Sequence, residues 1–397
     1  MLKQLLLTSV TFHTLNVAAL IFLARLWRHR YAEEPAIQPR LARFLADFGV
    51  LGSVAVLSAA AIGTVGNVGG FGIINLVSQW VFAEFLVFLG LAGWWMRRSG
   101  ARMASTGFAA AVLILLAIFT NAHFVEPRSL EVNEHRVDLT GRRGPQPTFV
   151  SRTLRDTGEP AELRIVHLSD IQTAVIGKHE RRAFREAVEL QPDIILLTGD
   201  YLQALAGRED LSRAFDDFRH LLNSLPVPPL GIYAVKGDVE GREWPSVFER
   251  TRVIPLTDEF VRIPLPGSSR SMSLLGLSSG LARGRDGRTL RRLVARLPAD
   301  DVRVVFGHNP DFIMALDEGT ADLALAGHTH GGQIVVPFFG APLTLSRLPR
   351  RMARGLHDWK GTPLHVSAGV GMERGYAPQV RFLCRPEVCL LRVQLKA

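Results

Sequence analysis

The first 125 residues constrain the fold most: they are apolar, nearly free of acids, and contain long uncharged stretches. A hydrocarbon core about 30 Å thick takes roughly 20 apolar residues to cross as a helix. Residues 5–24, 48–68, 71–96 and 104–125 each reach that length, the third interrupted by one acid, Glu84. Four spanning helices are expected, with three as the alternative. After residue 126 the chain takes on the mixed charge, Gly and Pro content of a water-soluble domain. The expected organisation is therefore an all-α transmembrane bundle over 1–125 and a globular domain over 126–397.

The second stretch ends among Gly63, Gly66, Gly69 and Gly70, which suit close helix contact or a tight turn. The first stretch lacks a small-residue cleavage site and runs into Arg25, Arg28 and Arg30, as a retained anchor does. With Arg40 and Arg43 these residues make the first connection basic, and Arg97, Arg98 and Arg102 do the same for the third. The positive-inside rule places both on the cytoplasmic side, and four spans then leave the globular domain outside the cytoplasm. Arg128, Arg136, Arg142 and Arg143 pull the other way, and three spans would reverse the result. The whole reads as an integral membrane protein in contact with membrane lipids. Glu84 is costly in mid-span unless paired, by Gln79 or Ser78 for example, or placed at a functional path. His13, Asn16 and Asn75 read as polar contacts between helices.

A net charge of +9 and a pI near 10.2 raise the question of nucleic acid. Arg is scattered, however, with no basic run alternating with aromatics, so nucleic-acid binding is not expected. Two cysteines, Cys384 and Cys389, cannot build a disulfide framework and suggest packing.

From residue 164 one pattern recurs: a short apolar, β-branched run ends abruptly in Gly, Ser, Asp or His. Such runs are buried strands followed by sharp loops. The runs end at Asp170, Asp200, Asp238, His308 and the pair His328 and His330. Strands side by side in one sheet put their tips on one edge, so three Asp and three His would converge in a cleft. Mixed carboxylate and imidazole suit Mn, Fe, Zn or similar divalent ions, and preceding glycines let the backbone turn closely beneath them. A carboxylate such as Asp200 can bridge two ions roughly 3.5–4 Å apart.

These motifs, with Gly307-His-Asn-Pro-Asp311, Gly327-His-Thr-His-Gly-Gly-Gln-Ile334 and Val366-Ser-Ala-Gly-Val-Gly371, resemble the calcineurin-like metallophosphoesterase superfamily, particularly its membrane-attached bacterial branch. The resemblance covers about residues 130–393. It implies an α/β fold, a four-layer α-β-β-α sandwich with two divalent ions at the strand tips. One ion would take Asp170, Asp200 and His330, the other Asp200, Asp238, His308 and His328. Two departures stand out. Gln172 occupies a position where the family has histidine, and its amide oxygen is a weaker ligand for a transition ion, so the first site should bind less tightly. The third motif reads Gly237-Asp238-Val239-Glu240 where the family has Gly-Asn-His. Asp238 strengthens its site, but Val239 cannot protonate a leaving oxygen. The family's lipid-A-pathway pyrophosphatases carry a similar replacement and cleave a sugar-nucleotide lipid.

The implied activity is hydrolysis of a phosphodiester, pyrophosphate or phosphomonoester bond by metal-activated hydroxide, with a lipid-linked substrate among the alternatives. Asp200, His308 and Asn309 are its catalytic candidates, although Asn309 before Pro310 also reads as a turn former. With no histidine at 239, Glu240 or a metal-bound water is left to supply the proton. The basic stretch 347–354 could reach anionic lipid or substrate phosphate, or remain a solvated loop. Two rivals stay open: a metal- or phosphate-binding pseudoenzyme, motivated by Gln172 and Val239, and a transporter or lipid-binding membrane unit with Glu84 in its path.

Overall fold

A computed structural model of the chain describes residues 2–30, 37–139, 162–204, 211–242, 244–266 and 270–395. Arg142 and Arg143, invoked for membrane orientation, lie outside the described residues, as do the side chains of Arg28, Arg30, Arg40 and Arg43. The chain forms two compact units: Met1–His123 with Arg374–Gln379, and Phe124–Glu373 with Val380–Ala397.

The first unit is helical: α1 (Leu2–Arg30), α2 (Ile37–Val65), α3 (Gly69–Phe82), α4 (Glu84–Arg98) and α5 (Arg102–Thr120). Among the described residues three segments are long and apolar enough to cross a membrane, Leu6–Leu23, Gly69–Arg98 and Arg102–Arg128, whereas the apolar part of α2 is the shorter Gly49–Val65. The apolar run that reads through residue 68 is cut because α2 ends at Val65 and Asn67 turns the backbone at φ 48°. A Cβ on Gly63 would lie 2.5 Å from Cγ1 of Ile73, and one on Gly66 2.7 Å from Cγ2 of Thr8. These two glycines serve close helix contact and Gly69, at φ 65°, serves the turn. The third stretch breaks at Ala83 into α3 and α4. Glu84 is buried there against Nδ1 of His13, and His13 Nε2 lies 2.9 Å from Oε1 of Gln79. The partner of Glu84 is thus His13, brought from a residue 71 positions away.

The second unit holds twelve described strands in two sheets. They are β1 (Glu131–Asp138), β2 (Glu162–Leu168), β3 (Ile194–Leu197), β4 (Ile232–Ala234), β5 (Val253–Pro255), β6 (Glu259–Pro264), β7 (Ser271–Gly276), β8 (Val302–Phe306), β9 (Leu323–Ala326), β10 (Gly355–Trp359), β11 (Thr362–Val366) and β12 (Glu387–Gln394). One sheet runs β1-β12-β2-β3-β4-β5 and the other β10-β11-β9-β8-β7-β6. The segments β2 to β5 and β7-β8-β9-β11 are parallel, and parallel strands covered on both faces read as continuous apolar runs. Alternate residues go to opposite faces. Ile165, Ile194, Leu196, Leu274, Val304, Phe306 and Leu325 meet between the sheets. Val166, Ile195 and Leu197 face outward to Phe184 of α6 (Lys178–Glu189) and Phe218 of α7 (Ser212–Ser224), while Leu275 and Val305 face Leu281 of α8 (Ser279–Ala282) and Leu290 of α9 (Gly287–Val294). The layers are α-β-β-α, as the resemblance implies.

Two histidines are wholly buried between the sheets: His167 and His365 share a 2.8 Å Nδ1···Nδ1 hydrogen bond, and His167 Nε2 reaches Oγ1 of Thr198 at 2.8 Å. Burial lowers the pKa of His167 to about 3 and that of His365 well below its ordinary value. The unfolded chain, titrating near ~6.5, binds more protons than the native state below that pH. The stabilisation from keeping these rings neutral is therefore complete above pH ~6.5 and falls by about 1.4 kcal/mol per pH unit per histidine on acidification. Urea midpoints from pH 8 to 5, compared with a His167→Gln/His365→Gln variant, should diverge less as acid is added; parallel profiles would contradict this.

Candidate metal centre

Five strands end in the residues singled out from sequence. Asp170 follows β2, Asp200 follows β3, Asp238 follows β4, His308 follows β8, and His328 and His330 follow β9. The chain must turn sharply at each tip, and it does so at a steric cost. Asp170, Gln172, Asp200, His328 and His330 have φ of 50°, 38°, 56°, 70° and 49°. Non-glycine residues in this region are uncommon and cluster at functional sites. The preceding glycines permit the approach: a Cβ on Gly237 would fall 2.1 Å from Oδ1 of Asp200, and one on Gly327 2.4 Å from Oδ2 of Asp170.

The side chains converge. His308 Nε2 lies 3.3 Å from Oδ2 of Asp200 and 3.7 Å from Oδ2 of Asp238; His328 Nδ1 lies 3.0 Å from that Asp238 oxygen and 3.2 Å from His308 Nε2. On the other side His330 Nε2 is 3.6 Å from Oδ1 of Asp170. Asp238, His308 and His328 form one group of mutually close donors, and Asp170, Asp200 and His308 a second. His308 thus stands near both groups, beyond the single site the resemblance gives it. Its orientation is fixed, because Nδ1–H donates to the Thr198 carbonyl at 2.8 Å and leaves the Nε2 lone pair facing the carboxylates. His328 is fixed the opposite way, with Nε2–H to the Leu345 carbonyl at 3.2 Å and Nδ1 facing Asp238.

The electrostatics suit cations. Burial pushes the Asp170 carboxyl up to about 6, with Asp200 adding to the shift. Asp238 is lowered instead: burial is overcome by the neighbouring His328 and His308 and by the hydrogen bond from Arg283. Asp200 opposes the burial of His308 and raises that imidazole, while burial and then Arg381 lower His330. Both ring nitrogens of His330 and Oε1 of Gln172 are buried without a hydrogen-bond partner among the described residues. Unpaired donors beside crowded carboxylates are costly unless they coordinate. The donor set therefore fits divalent ions, with carboxylate and imidazole available to both.

Several residues take roles the motifs did not convey. Glu240, a candidate proton source by sequence, spends its oxygens on the N–H groups of Asp200, Tyr201 and Gly237 at 3.3, 2.6 and 2.8 Å. It clamps the loops and is not aimed at a leaving group, although burial and then Asp200 raise it to about 7. Asn309 is buried with Oδ1 accepting from the Asp311 N–H at 2.9 Å, the turn-forming role. In the basic stretch, Arg347 is engaged by Asp311, Nε to Oδ2 at 2.9 Å.

Arg283, Arg381 and Glu373 were not anticipated. Arg283 pairs with Asp238 through Nη2 at 2.6 Å and Nε at 3.1 Å. Arg381 is fully buried and holds the segment after β11 through Nη2 to Ala368 O at 2.8 Å and Nε to Gly371 O at 3.0 Å. That segment closes under the first carboxylate, with the Gly371 N–H donating to Asp170 O at 2.6 Å. Glu373 follows it and accepts from Nε2 of Gln172 at 3.3 Å.

Residues 163–332 match the calcineurin-like phosphoesterase family. Phosphodiesterase YaeI of Escherichia coli (strain K12) is 27% identical over 72% of this chain and 96% of its own length. An uncharacterized metallophosphoesterase, YkoQ of Bacillus subtilis (strain 168), is 28% identical over 58% of the chain and 84% of its length. UDP-2,3-diacylglucosamine pyrophosphatase LpxG of Chlamydia trachomatis is 27% identical over 58% and 83%. With these strand tips and these relatives, residues 163–332 are a calcineurin-like phosphoesterase domain, and the chain is a phosphoric ester hydrolase.

Proposed function

We propose that residues 126–397 hydrolyse a phosphodiester or pyrophosphate bond with two divalent ions, manganese among the candidates, and that residues 1–125 anchor this domain in a bacterial inner membrane. The observation that carries the reading is the convergence of Asp170, Asp200, Asp238, His308, His328 and His330 from five strand ends. Divalent ions held there supply Lewis-acid activation of water and neutralise charge developing on phosphoryl oxygens. The protein's part is positional. Asp200 faces His308, which stands in both groups of donors, the Thr198 carbonyl and Leu345 carbonyl hold two imidazoles in fixed tautomers, and Asn309 fixes the loop that carries His308. Arg283, partly exposed beside Asp238, is suited to bind a phosphoryl oxygen.

Val239 offers no proton, which favours substrates whose leaving group departs readily, such as a nucleotide phosphate in a pyrophosphate. A lipid-linked substrate accords with the apolar helices and with the substrate named for LpxG. Extracytoplasmic placement rests on Arg97, Arg98 and Arg102 lying on the same side as Arg25, which requires α2 to cross. The 17 residues of Gly49–Val65 extend about 26 Å at ~1.5 Å per residue, close to the ~30 Å core.

The test is turnover by the full chain in detergent, manganese-loaded or chelator-treated, with a bis-aryl phosphate, a lipid-linked nucleoside diphosphate and an alkyl phosphomonoester. Metal-dependent cleavage of the first two is expected. Cleavage of the alkyl ester alone, or turnover indifferent to chelation, would contradict the reading.

A further inference from the structure

Gln172 leaves the first cluster short of an imidazole, and the structure puts a carboxylate beside it. Glu373 Oε2 lies 3.3 Å from Nε2 of Gln172 and 3.9 Å from Nε2 of His330, which is itself 3.6 Å from Oδ1 of Asp170. Donors each about 2.1 Å from a common ion are separated by ~3.0 Å when adjacent and ~4.2 Å when opposite in an octahedral shell. The 3.9 and 3.6 Å separations about His330 fall in that range, whereas Nε2 of Gln172 is a hydrogen-bond donor and no ligand. The position of Glu373 is built: its N–H donates to Oε1 of Gln333 at 2.9 Å, and the Gln333 N–H donates to the His330 carbonyl at 2.9 Å. The carboxylate is thus tied by backbone to the loop carrying His330. The amide of Gln172 donates to Glu373 while its oxygen stays buried without a partner among the described residues.

We propose that Glu373 is a ligand of the first metal position, replacing the imidazole that Gln172 does not supply. The inference rests on the two-ion reading of the site. With Asp170, Asp200, Glu373 and the Gln172 amide oxygen against one imidazole, His330, the position is dominated by oxygen. Such a donor set suits manganese or magnesium and disfavours zinc relative to a site with a second histidine. The role of Gln172 changes accordingly: its amide steers Glu373, so a glutamine there is a complement to the carboxylate.

The experiment is manganese binding to chelator-stripped full-length protein in detergent, read as ions per chain by elemental analysis and as affinity by titration. The wild type should hold two ions. Glu373→Ala should hold one, or bind the second at least ~10-fold more weakly. Glu373→Gln, which keeps size and a hydrogen bond to Gln172, should move in the same direction and guards against a folding defect. The double variant Gln172→His/Glu373→Ala should recover a second ion and shift the competition from manganese toward zinc. Two ions bound with unchanged affinity in both Glu373 variants, while Asp170→Ala loses one, would overturn the role of Glu373. Two ions retained in Asp170→Ala as well would overturn the site reading beneath it.

Discussion

Asp200→Asn is expected to lower kcat/KM for an activated phosphodiester by at least ~10³-fold, on the scale seen when transition-state charge stabilisation is removed. Asp200 is buried, accepts the Val239 N–H on Oδ1 at 3.1 Å, and faces His308 with Oδ2 at 3.3 Å. The amide can preserve the backbone contact on one atom. It places an NH2 or a neutral oxygen where an anion faced His308, the imidazole that stands in both clusters. His328→Ala should have a comparable effect through the Asp238–His308–His328 cluster alone, since it deletes the imidazole 3.0 Å from Asp238. Both variants should lose bound metal, with Asp200→Asn losing more. Steady-state kinetics and metal content on the same preparations check this, and wild-type turnover in either would refute the assignment.

Val239→His should accelerate cleavage of alkyl phosphate esters by up to ~10²–10⁴-fold while changing aryl or pyrophosphate cleavage little. The backbone of residue 239 already serves the site through its bond to Asp200, so the substitution alters the side chain on an existing turn. Protonation of the departing oxygen matters less as the acidity of its conjugate acid rises. The wild type should consequently show a steep dependence of kcat/KM on leaving-group pKa, and the variant a shallower one. Glu240 is not placed to flatten the wild-type profile, because its oxygens are held by three backbone N–H groups. A shallow wild-type profile would mean that another group delivers the proton.

The strand-tip residues were legible because each sits in a local pattern, an apolar run and then a turn, that reveals both its strand and its exit. The two-sheet arrangement followed from the resemblance those patterns carry. Glu373, Arg283 and Arg381 have no such local mark. Glu373 meets Gln172 from 201 residues away, and Arg283 meets Asp238 from 45. Only the closing of loops in three dimensions brings them together. Glu240 misled for the opposite reason: its place next to the third motif suggested chemistry, while its carboxylate went to backbone donors. In the helical unit, hydropathy marked the apolar stretches but not the break at Ala83, where no proline or glycine announces it, nor the pairing of His13 with Glu84.

The central claim, a pair of ions held by Asp170, Asp200, Asp238, His308, His328 and His330, is tested most directly by electron paramagnetic resonance of the manganese-loaded full chain. The account predicts two ions per chain and the signature of a magnetically coupled pair, collapsing to an isolated-ion spectrum in Asp200→Asn. A fully active wild-type protein showing only isolated manganese, at one ion per chain, would contradict it.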